Sequence, residues 1–80
     1  MAVGRHSTDL RGRRHALGAT PWLMARGLGI GLEKLIAMER GVVADDRLSL
    51  YAAWLSRLEG SGPARRKQQF ERAANGERFV

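Results

Sequence analysis

The stretch LGIGLEKLIAMERG, residues 28–41, cannot run as one helix. Gly29 interrupts it, because glycine takes a positive φ at no steric cost. Gly41 ends it. Between the two, about Leu32 to Arg40, the spacing predicts a short helix with Leu35 and Met38 inward. Ahead of it, Thr20-Pro21 is a helix start: Thr caps, and Pro suits a first position whose N–H has no partner anyway. The helix from Pro21 to about Leu28 carries Met24, Ala25 and Leu28 on one side.

The rest of the chain follows the same pattern. Ser7 and Thr8 can cap a helix over about 8–17, with Asp9 in its first turn and Gly18 at its end. Leu10 and Leu17 share a face of it. Asp45-Asp46 opens a helix over 46–59. Its inward face is Leu48, Tyr51, Ala52, Leu55 and Leu58, and Leu50 with Trp54 forms a second stripe. GSGP (60–63) reads as a linker. ARRKQQFERAAN has good helix formers but few apolar anchors, so a helix over 64–74 needs docking to persist. Phe70 and Phe79 favour that docking over a solvated tail. No alternating run predicts a strand. The expected fold is therefore all-α, a compact bundle of four to five short helices. A basic arm (1–7) precedes it, and a basic tail or docked helix (64–80) follows the linker.

Charge is unevenly placed. The net charge is +6, with +3 in residues 1–20, zero in 21–60 and +3 in 61–80. A neutral middle flanked by basic ends attracts phosphate through counterion release. Such a balance also keeps a small protein soluble. There is no cysteine, which excludes disulfides and thiolate metal sites. No apolar run reaches the roughly 18 residues of a membrane span, and no signal stretch follows the basic N-terminus. The expectation is a cytoplasmic protein that does not enter a membrane.

Residues 10–59 resemble the phage-repressor type of helix-turn-helix domain, the Cro/repressor (Xre-like) family. LRGRRHALGAT (10–20) is similar to the family's first helix and its Leu-Gly-x-Thr/Ser lead into helix two. Ala25 stands where helix two must be small, Gly29 is the turn glycine, and Ile30, Leu35 and Met38 match the apolar packing positions. MERG (38–41) matches the apolar-Glu-x-Gly ending of helix three. The likeness covers about fifty of the eighty residues and holds across three helices. It implies a helix-turn-helix, an ion pair between Arg14 and Glu39, and a repressor or autoregulator of transcription, often in phages and mobile elements. Where many members start helix two with a phosphate-touching Gln, this chain has Pro21 and Trp22.

Two functions from different classes follow. In the first, the protein is a homodimer on double-stranded DNA, with helix 32–40 in the major groove. Of the outward positions, Glu33 can accept from a cytosine amino group, and Lys34 can reach guanine or phosphate. Leu32, Ile36 and Ala37 can touch thymine methyls. Arg26, Arg40 and Arg47 are phosphate candidates, with Arg5, Arg11 and Arg13 from the N-terminal region. This is a thin code, so part of the specificity is expected from DNA shape. In the second, the apolar outer face of Trp22, Leu32 and Ile36 docks another protein. Leu50 and Trp54 form either a dimer seam or a second core wall, and the seam is preferred.

Other chemistries find no support in the sequence. His6 and His15 lie nine residues apart without Cys or a third ligand, so no metal is expected. Asp45-Asp46 is better explained as a helix cap than as an acid–base pair. GLGIG (27–31) lacks the strand–turn–helix setting of a phosphate loop. No nucleophile–base set stands out, so the protein is not expected to be an enzyme, and no cofactor is implied.

Overall fold

A computed structural model describes residues 9–42 and 46–80. Among the described residues five helices form an all-helical bundle, and no strand occurs; the radius of gyration is 12.0 Å. They are α1 (Leu10–Ala16), α2 (Pro21–Leu28), α3 (Leu32–Glu39), α4 (Asp46–Gly60) and α5 (Pro63–Ala74).

The ends differ from the sequence expectation by a residue or two, for physical reasons. Asp9 stands at the N-cap of α1, not in its first turn, and its side chain makes no capping bond. Ser7, Thr8 and Asp45 lie outside the described residues. Pro63 occupies the first turn of α5, so the linker shrinks to Ser61 and Gly62. Arg66 closes this corner by donating from Nε to the Leu58 carbonyl (3.0 Å) and from Nη2 to the Ser61 carbonyl (3.1 Å). The Leu58 carbonyl belongs to the end of α4, where intrahelical donors run out, and the Ser61 carbonyl to the linker that follows.

Thr20 caps α2 as its position suggests, accepting from the Leu23 N–H at 3.1 Å. Gly29 then ends α2 with φ +74°. Its N–H donates to the Arg26 carbonyl (3.1 Å) and the next N–H, of Ile30, to the Ala25 carbonyl (3.0 Å). This pair of backward bonds satisfies two orphan carbonyls and turns the chain sharply. The same two-bond pattern ends α1, α3 and α5, through Ala19 to Arg14, Val42 to Ala37 and Glu77 to Arg72.

The core draws on every helix. Leu10, Met24, Leu35, Tyr51, Leu55 and Leu58 are its fully buried large side chains, and Ala25 is buried between α2 and its neighbours. The fifth helix is docked: α5 packs on α2, burying Ala73 and Gln69. What anchors it is less its own apolar content than the segment after it. Phe79 is buried, its ring centroid 5.2 Å from that of Trp54 and 6.4 Å from that of Phe70. It sits on Gly27, whose carbonyl accepts the Phe79 N–H at 2.8 Å.

Candidate nucleic-acid interface

The geometry of α2, the Gly29 turn and α3 is fixed from beneath. On α3, Leu35 and Met38 go inward, while Glu33 stays exposed with Leu32 (40%) and Ile36 (37%). Lys34 and Ala37 are half-buried on the flanks. A helix turns about 100° per residue, so 32, 33 and 36 share one outer face. On α2, Trp22 is 46% exposed, and the Arg26 guanidinium lies 4.9 Å from its ring centre. A cation over an indole face is held by the ring quadrupole.

Arg14 and Glu39 join α1 to the end of α3. Nε donates to Oε2 at 2.7 Å and Nη2 to Oε1 at 3.2 Å, with side-chain exposures of 6% and 5%. Arg14 Nη1 also donates to the Ala19 carbonyl at 2.9 Å, and the Tyr51 hydroxyl of α4 donates to Glu39 Oε2. Three helices thus meet on one carboxylate. No buried side-chain polar atom among the described residues lacks a partner.

Burial, and then its bond to Glu39, pushes the Tyr51 hydroxyl far above the ordinary tyrosine value, which is about 10. A raised folded pKa means that the associated stability is complete below the unfolded value. It is lost as pH rises beyond that point. Tyr51 is the only tyrosine in the chain, so its ionisation is read directly by ultraviolet absorbance. We expect tyrosinate to appear only together with loss of helical circular dichroism in an alkaline titration. Ionisation near pH ~10 with helicity intact would show that the network does not hold.

The basic residues sort into two groups. Arg13 is engaged: Nε and Nη2 bind Glu59 (2.9 and 2.7 Å), and Nη2 also donates to Ser56 Oγ (3.1 Å). Hydrogen bonding to Arg13 holds the Glu59 carboxyl below its usual range. Arg13 therefore braces α1 against α4. Arg72 pairs with Glu77 at 3.1 Å, and Arg57 covers the Trp54 ring at 4.9 Å. In contrast, Arg11, Arg26 and Arg40 are exposed and form no ion pair with a carboxylate among the described residues. Arg47 is exposed in the first turn of α4, and Arg5 lies outside the described residues.

Leu50 and Trp54 part company. Leu50 is 39% exposed, whereas Trp54 is half-buried between Phe79 and Arg57 and serves as a core wall. Sequence reading passed over Gly27, Gln69 and Arg78. The signal at Gly27 was a glycine inside a helix, which marks close approach of another part of the chain. Among the described residues no group of His, Asp or Glu has the arrangement of a metal site, and no helix is long and apolar enough to cross a membrane. No protein family, curated protein or solved structure matches the chain.

Proposed function

We propose that this protein is a sequence-specific DNA-binding regulator of transcription, acting as a repressor or autoregulator. The observation that carries the reading is the α2–turn–α3 unit: α3 is locked from below by Leu35, Met38 and the Arg14–Glu39 pair, and its outer face is left open. A short helix presented this way fits the major groove, which admits an α-helix. Glu33 and Lys34 are the polar readers, and Leu32, Ile36 and Ala37 the apolar ones. Arg11, Arg26, Arg40 and Arg47 hold phosphates, which fix register without naming a sequence. DNA shape completes the specificity. The protein works as a homodimer on paired half-sites, with Leu50 as an exposed apolar side chain available to the contact.

One observation favours a second reading, a protein-docking module. Trp22, Leu32 and Ile36 are all large, apolar and exposed, and such groups mark interaction sites when they gather.

Fluorescence anisotropy separates the two. The duplex upstream of the protein's own gene and a scrambled duplex are titrated across a salt series. We expect tighter binding to the native probe, persisting at moderate salt, and loss of that preference in Glu33→Ala with Lys34→Ala, since a good base contact discriminates by about 1–3 kcal/mol. Equal and steeply salt-sensitive binding to both probes would reduce the interaction to charge alone and favour the docking module.

A further inference from the structure

After α5 the chain does not leave the bundle. Residues 76–80 run back along α2. Arg26 Nη2 is 2.9 Å from where a Cβ on Gly76 would stand, Phe79 sits on Gly27, and the Arg78 side chain lies against Gly29, the glycine of the α2–α3 turn. Three tethers hold this strap. The Phe79 N–H donates to the Gly27 carbonyl (2.8 Å). The Gln69 amide binds Val80 twice, Nε2 to its carbonyl (2.8 Å) and Oε1 from its N–H (3.0 Å). Arg72 Nε donates to the Arg78 carbonyl (3.2 Å). The backbone is therefore fixed on both sides of Arg78.

Among the described residues the charge of Arg78 meets no carboxylate. Its neighbour Glu77 is engaged by Arg72, and no carboxylate among the described residues forms an ion pair with Arg78 or with Arg26. Two guanidinium groups thus lie along the strap, that of Arg78 at the α2–α3 turn and that of Arg26 beside Gly76 and over the Trp22 ring. One belongs to α2, and the other is delivered from the far end of the sequence.

We propose that the strap is part of the nucleic-acid interface, with Arg78 a phosphate contact that works beside Arg26. The inference rests on the DNA-binding reading above. A rigidly tethered backbone keeps Arg78 at the turn, so less freedom is lost when it meets a phosphate. Guanidinium forks match phosphate geometry. The contact is to the DNA backbone, so it raises affinity for every sequence alike.

The test is the salt dependence of binding by the full chain. Each phosphate neutralised adds about 0.9 to the slope of log K against log salt. Arg78→Gln should lower that slope by about one on native and scrambled duplexes, leaving their affinity ratio unchanged. Arg78→Lys, which keeps the charge, should restore it. Arg26→Gln combined with Arg78→Gln should lower the slope by about two. Melting curves accompany each variant, and slopes are compared where all are folded. A wild-type protein that prefers the native duplex while Arg78→Gln keeps the full slope would overturn the strap contact and leave the DNA reading standing. A wild-type protein that binds neither duplex would overturn both.

Discussion

Arg14→Ala is expected to lower the melting temperature by at least about 12 °C. Removing one member of a buried ion pair costs about 3–5 kcal/mol, and in a domain of this size each kcal/mol moves the midpoint by about 4–8 °C. The mechanism is specific. The Glu39 carboxyl would lose both guanidinium donors and keep the Tyr51 hydroxyl, and the Ala19 carbonyl would lose its bond to Arg14. Whole domains hold only about 0.05–0.15 kcal/mol per residue, so the loss takes a large share of the total. Glu39→Ala should cost a similar amount, and the double variant much less than the sum, because the two residues act as a unit. A midpoint for Arg14→Ala close to that of wild type would show that the pair is dispensable.

Phe79→Ala is expected to be comparably damaging, at about 3–5 kcal/mol for a buried phenylalanine. Phe79 faces Trp54 and Phe70 and closes over Gly27. Its partner position gives a sharper test, because two effects oppose each other there. Alanine is about 0.8–1 kcal/mol better than glycine inside a helix. A Cβ on Gly27 would fall onto Cζ, Cε1 and Cε2 of the Phe79 ring, and overpacking costs typically about 1–3 kcal/mol. Gly27→Ala alone should therefore destabilise in a urea titration. In the Phe79→Ala background the obstruction is gone, and the same change should stabilise. A stabilising Gly27→Ala in the wild-type background would mean that the ring is free to move aside.

These two sites also mark where the sequence was legible and where it was not. The helices were readable because their punctuation is local: Thr20-Pro21, Gly29 and Gly41 each act through their own backbone. The inward faces of α2, α3 and α4 were readable from the spacing of Met24 and Ala25, Leu35 and Met38, and Tyr51, Leu55 and Leu58. The meeting of Arg14 with Glu39 was approachable only through resemblance, since no periodicity links positions on separate helices. Gly27, Gln69 and Arg78 stayed hidden because their meaning lies in pairings between distant segments, whereas Phe79 showed that the tail docks but not where. Trp54 illustrates the same limit. Its stripe with Leu50 is real along α4, but whether an indole meets a second copy or Phe79 depends on where the end of the chain travels.

The seam of Phe79 on Gly27 also sets an order of events during folding. It joins segments far apart in the sequence, and such pairings must meet the cost of closing a long loop before any contact offsets it. Contacts among α1 to α4 close shorter loops, so these helices can pack while Gly27 is still uncovered and the Trp54 ring lacks the Phe79 face. Until the strap docks, the folding protein carries an open apolar notch along α2. The interval before the strap closes is then when this small protein is most prone to stick to its neighbours.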